Sequence, residues 1–130
     1  MERVVLIAIA MVALAGCGGG GGSSYALEPT VSCLEGKGVS VSTDDDDLDF
    51  FAQDAGEGAL EADLDRNSVT VVFERSESDA KRTKAAYSLF AGALDAPADD
   101  ILQQLGNTVI AWTRTPTDDE TSLLGDCLSH

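Results

Sequence analysis

Strand-period and helix-period segments alternate along residues 25–130 and predict an α+β domain. The expected form is a ferredoxin-like βαββαβ antiparallel sheet, helices on one face, with one extra C-terminal helix. Three observations carry this. Apolar and polar residues alternate in 39–42, 60–64 and 69–73. Apolar residues recur at helical spacing in 48–55 and 80–94. A Thr117–Glu120 capping pair follows the most strand-like run in the chain, 108–113.

The elements follow in order. Val31 to Leu34 reads as a short extended lead-in that carries Cys33. Gly38 precedes Val39-Ser40-Val41-Ser42, a strand with one buried face. Leu48, Phe51, Ala52 and Ala55 then recur at i, i+3, i+4 and i+7, a short amphipathic helix that Gly56 and Gly58 end. Leu60, Ala62 and Leu64 alternate with acids, 65–68 is turn chemistry, and Val69, Val71 and Phe73 alternate again, so a β-hairpin is expected. Val72 on the polar side implies that this second strand is covered on its other face, or is central.

Ser76 with Asp79 three residues on starts the next helix, which buries Ala80, Thr83, Tyr87, Phe90 and Leu94. Asp95-Ala96-Pro97 ends it. Residues 98–106 suit either a short helix or an edge strand. If residues 46–58 are loop and 99–105 add a strand, the fold becomes a looser α+β sandwich. After the strand at 108–113, Leu123, Leu124 and Cys127 face inward on the last helix.

The N-terminus is different in kind. Val4 to Ala15 are all apolar, with Arg3 before them. That run is short of the ~20 residues a membrane span needs, and it has the proportions of a secretory h-region. Leu14, Ala15, Gly16 and Cys17 close it. Here the chain resembles the bacterial lipoproteins, whose lipobox has Leu, a small residue, Gly or Ala, then Cys. The resemblance implies cleavage between Gly16 and Cys17 and a diacylglycerol thioether on Cys17. The domain map is then 1–16 signal peptide, 17–24 lipidated Cys and Gly/Ser tether, and 25–130 one small domain. Two acyl chains give stable membrane attachment. The protein is expected at the extracytoplasmic face of the cell membrane; in a two-membrane cell, Gly18 after the lipid Cys is compatible with outer-membrane sorting. The lipobox, the tether and an Asp/Ala/Gly-rich domain also resemble the small lipoproteins of GC-rich Gram-positive bacteria.

With Cys17 assigned to lipid by that resemblance, Cys33 and Cys127 remain, and the exported compartment permits a disulfide between them. A redox or metal pair is the other reading, but no CxxC spacing or further ligand accompanies it. The closed loop would stabilise by about 4–5 kcal/mol in the chain-entropy model.

The chain carries 23 acidic and 8 basic side chains, a net charge of −15. That balance argues against nucleic-acid binding, which needs a basic surface. Asp45, Asp47 and Asp49 fit positions 1, 3 and 5 of an EF-hand calcium loop, but Phe50 and Gly56 stand where Gly and Glu are required. A helix cap or a solvated loop is the plainer reading of these aspartates, with a weak calcium site as the alternative.

Arg75, Lys81, Arg82 and Lys84 could form a docking patch, or simply compensate local acids, as a Glu77–Lys81 pair would. Trp112, Tyr87 and Phe90 are expected in the core. His130 is terminal, no nucleophile motif or phosphate loop is present, and no acid pair stands out. The expectation is a membrane-anchored, non-catalytic interaction or accessory module of the cell envelope with an envelope protein as partner. The alternative is a small-ligand or cation-binding lipoprotein. An enzyme would need a carboxylate with a raised pKa in a pocket.

Overall fold

The computed structural model describes residues 24–93 and 97–128. The leader, Cys17, the tether up to residue 23, Leu94 and His130 lie outside the described residues. Among those described, no helix is long and apolar enough to cross a membrane.

Five antiparallel strands form one sheet: β1 (Ser40–Ser42), β2 (Ala59–Leu64), β3 (Asn67–Phe73), β4 (Leu102–Leu105) and β5 (Thr108–Trp112). Their order is β1-β2-β3-β5-β4. The alternation seen in the sequence sets the register. Leu60 pairs with Val71 and Ala62 with Val69, while Val71 pairs on its other side with Ile110. These side chains point to one face, as alternate residues of neighbouring strands must. β3 is central, and Val72 on its opposite face is fully buried, as its apolar character implied.

Helices cover both faces of the sheet. α1 (Leu27–Gly36) and α5 (Asp118–Cys127) lie over Leu60, Ala62, Val69, Val71, Phe73, Ile110 and Trp112. The other face carries α2 (Phe50–Gln53), the long α3 (Glu77–Ala93) and α4 (Ala98–Ile101), packed over Ala59, Val72, Leu102 and Val109. The expectation of helices on one face is thus corrected: Val72 and Val109 are apolar outside the main alternation and need a second cover.

The strand order departs from the split-βαβ pattern. In that pattern the first two strands run parallel with another between them. Here β1 pairs β2 directly and antiparallel. The link between them holds only a three-residue 3-10 turn, Asp45–Asp47, and the one-turn α2. A parallel crossover usually needs a full helix, and this link folds back onto its neighbour instead.

The lead-in at 31–34 is helical, not extended. Leu27, Thr30, Val31 and Leu34 fall at i, i+3, i+4 and i+7; Thr30 and Leu34 are buried, and Leu27 and Val31 pack on the core. Pro29 sits in the first turn, where a missing N–H costs nothing. Residues 98–105 are both things in turn: one helical turn, then an edge strand.

The caps behave as read. The Thr117 hydroxyl accepts from Glu120 N–H at 3.2 Å, and the Glu120 carboxylate accepts from Thr117 N–H at 2.9 Å. Ser76 accepts from Asp79 N–H at 3.0 Å at the start of α3. Cys33 and Cys127 stand at disulfide distance, S–S 2.07 Å, joining α1 to α5 across 94 positions.

Candidate functional site

Asp49 organises the acidic turn. It lies at the N-cap of α2, where one carboxylate oxygen accepts from Ala52 N–H at 2.9 Å. The same carboxylate accepts the Tyr87 hydroxyl at 2.8 and 2.9 Å. Asp47 accepts from the Ser42 hydroxyl at 2.6 Å, and Asp45, Asp46 and Asp47 are exposed. Among the described residues no group of three carboxylates, His or Cys is placed to hold a metal ion. Asp45, Asp47 and Asp49 are therefore not brought together as ligands, because Asp49 is turned toward α2 and α3.

Burial, then the Asp49 hydrogen bond, then the charges of Asp49 and Glu74, hold the Tyr87 phenol far above its ordinary range. Tyr87 therefore stays a donor, latching α2 to α3. Removing it as Tyr87→Phe is expected to cost about 1–2 kcal/mol, since a hydrogen bond to a charged group is lost while Asp49 regains water. Urea unfolding checks this.

Burial also raises the Glu61 carboxyl, followed by repulsion from Asp63, Asp47 and Asp49. A raised folded-state pKa means that the folded chain holds the Glu61 proton more tightly than the unfolded chain. Stability from this group is present at low pH and lost as pH rises through the carboxylate range. Glu61→Gln is expected to raise the melting midpoint at pH 7, with a gain that vanishes near pH 4 (about the ordinary Glu pKa); a pH series of thermal melts reads it. Glu61 lines neither the aromatic cavity nor the two clefts below.

Above the Asp49–Tyr87 latch lies an aromatic surface. Asp49, Phe50, Phe51, Tyr87 and Phe90 line a small, apolar cavity of about 290 Å³. Phe51 is its centre. Its ring lies 4.7 Å from Tyr87, 5.7 Å from Phe50 and 6.1 Å from Phe90, with edge or tilted geometry, as aromatic quadrupoles prefer. Phe50 is 73% exposed, Phe90 56%, and the neighbouring Leu89 79%. The expected burial of Phe90 is thus corrected. Tyr87 and Ala91 take the inner face of α3, and Phe90 falls to the side, over Phe51. Trp112 and Tyr87 are buried as expected.

A signal for this surface exists in the chain. Phe50-Phe51 and Leu89-Phe90 are adjacent bulky pairs on helices. Successive residues there point about 100° apart, so a narrow buried stripe cannot take both.

Arg82 pairs with Asp79 at 3.2 Å and Arg75 approaches Glu57 at 3.9 Å, both at the surface; the expected Glu77–Lys81 pair is not among the ion pairs of the described residues. Two open clefts are built otherwise. One, of about 520 Å³, lies between Tyr25–Pro29 and Glu57, Glu74, Arg75 and Asn107. The other, of about 600 Å³, lies between the β2–β3 turn and α5. The first is closed at its base by Asn107, which accepts from Tyr25 N–H at 2.6 Å and donates to the carbonyls of Tyr25 and Glu74.

Compared with family models, with curated proteins and with solved structures, the chain matches none of them.

Proposed function

We propose that this chain is a lipid-anchored extracytoplasmic interaction module of the cell envelope, without chemistry of its own, whose binding face is the aromatic surface of α2 and α3. The observation that carries this reading is the exposure of Phe50 and Phe90 around a ring, Phe51, held from beneath by the Tyr87–Asp49 latch, with Leu89 exposed next to Phe90 in the chain. Exposed apolar patches on folded domains mark contact surfaces, and rigid aromatics lose little entropy when they bind. The lipobox residues Leu14 to Cys17 and the Gly/Ser tether support the anchor, and a disulfide-distance pair suits an exported compartment.

Two experiments test the two halves. Cys17→Ala is expected to release the protein from membranes; unchanged retention would sink the anchor. A photoreactive side chain at Leu89 is expected to give one dominant adduct in intact cells, lost when Phe50→Ser is added. The same group at Glu35, exposed on α1 across the sheet, should give none. Equal labelling from both positions, or none from Leu89, would sink the binding face.

A further inference from the structure

The surroundings of the aromatic surface say what kind of partner suits it. Asp49 lines the cavity itself. Asp63, Asp47 and Asp49 lie close enough to Glu61 for their charges to act on it, and Asp49 and Glu74 act on Tyr87. The ion pairs among the described residues use Glu57 and Asp79, and none of these five acids. The patch is apolar at its centre, and α2, which carries Phe50 and Phe51, is bracketed by exposed acids, Asp45 to Asp47 before it and Asp54 at its end, on a chain of net charge −15.

Three occupants differ in how they meet those acids. A second copy would bring acid against acid, which is repulsive and costly across a small apolar contact. An anionic lipid surface would be repelled likewise, since such surfaces attract polybasic segments. A protein segment carrying cations meets complementary potential, and its Lys or Arg can stack on the open faces of Phe50 and Phe90.

The chain enters the domain at Tyr25, pinned to Asn107, whose amide also donates to the Glu74 carbonyl beyond the end of β3. α3 starts at that same end: Gln104, two residues before the β4–β5 turn, donates to the Glu77 carbonyl, and Thr83 donates to Glu74. Phe90 stands 13 residues further along α3 than Glu77, about 20 Å at 1.5 Å per residue. Phe90 thus stands well along α3 from the start of that helix, while Tyr87, nearer its start, is within reach of the Glu74 charge.

We propose that this surface receives a segment of another protein that presents aliphatic or aromatic anchors flanked by Lys or Arg, such as one face of a basic amphipathic helix. The proposal rests on the interaction reading above and names the partner's chemistry.

The test uses the full lipidated chain in nanodiscs of zwitterionic lipid and four synthetic peptides of one length. The first has a Leu/Phe face and a Lys face. The second and third replace Lys by Glu or by Ser. The fourth keeps Lys and replaces Leu and Phe by Ser. Titration calorimetry is expected to show the first binding at least about 10-fold more tightly than the others. Phe50→Ser with Phe90→Ser should weaken it at least about 10-fold, a loss typical of anchor residues. Raising salt from about 0.05 to about 0.3 M should weaken it several-fold.

Equal binding of the Ser peptide, tightest binding of the Glu peptide, or no binding at all overturns the proposal. So does binding of the Lys peptides that ignores the Phe variants, because it would be charge alone. A doubled mass in sedimentation that Phe90→Ser abolishes would seat a second copy on the patch. Binding of the Cys17→Ser chain to anionic vesicles that depends on Phe50 would seat lipid there. Either overturns the proposal. The Leu89 adduct separates the levels: a Phe50-dependent adduct with failed peptides leaves the interaction reading standing and removes only the partner chemistry.

Discussion

Replacing Cys33 and Cys127 together by alanine is expected to lower stability by about 2–5 kcal/mol. The two residues join the first and last described helices across 94 positions. α1 and α5 are ten residues each, a length at which isolated helices are marginal in water. Packing helps hold them: Leu34, Leu124 and Cys127 are buried in one cluster with Leu60, Val71 and Trp112. Without the covalent link the unfolded chain regains the freedom of a very long loop, worth about 4–5 kcal/mol in the chain-entropy account.

For a domain of this size that corresponds to a fall in midpoint on the order of 10–40 °C, at about 4–8 °C per kcal/mol. The single tryptophan, Trp112, is buried in the same cluster, so its emission reports the transition directly. Reductant should reproduce the effect in the natural chain. A loss under about 1 kcal/mol by either route would mean that the link does not constrain the fold.

Asn107→Ala is expected to cost about 2–3 kcal/mol, the range for stranding buried hydrogen-bonding groups. Asn107 is 5% exposed in the two-residue turn between β4 and β5, beside Gly106, whose positive φ of 54° lets the chain reverse. Its amide donates to the Glu74 carbonyl at 2.9 Å and the Tyr25 carbonyl at 3.0 Å, and accepts from Tyr25 N–H. Alanine fills none of these roles, and the Glu74 carbonyl is left in a buried place.

Asn107→Asp separates shape from chemistry. A carboxylate would point an acceptor at two carbonyls, so this variant should be at least as unstable at pH 7. It should recover as pH falls, because its folded-state pKa is raised and a protonated Asp can donate again. Thermal melts at pH 7 and pH 4 read the difference. An Asp variant that ignores pH would show that the amide's donors are not what matters.

Some of this was legible in the chain because it is local. Alternation has a period of two, so Leu60, Ala62, Val69, Val71 and Phe73 were placed on one face without knowledge of their neighbours. The Thr117–Glu120 cap needs only four consecutive residues. Asp49 as a helix cap belongs here too, though its second bond, to Tyr87, spans 38 positions and could not be read. The i, i+3, i+4, i+7 pattern of α1 is masked in the chain, because Thr30 holds one of the buried places and Pro29 interrupts the segment.

The sequence by itself determined the strand faces, the caps and the acidic balance, since each follows from spacing or composition; Cys33 and Cys127 became the pairing candidates through the lipobox resemblance of Cys17. Only the tertiary structure decided the strand order, the second helical layer and the exposure of Phe50 and Phe90. The physical reason is competition. β1 turned back to β2 because its link is too poor in helix to cross the sheet. Phe90 lost the inner face of α3 to Tyr87 and Ala91, whose positions meet the sheet, and periodicity alone cannot say which of two adjacent apolar residues wins.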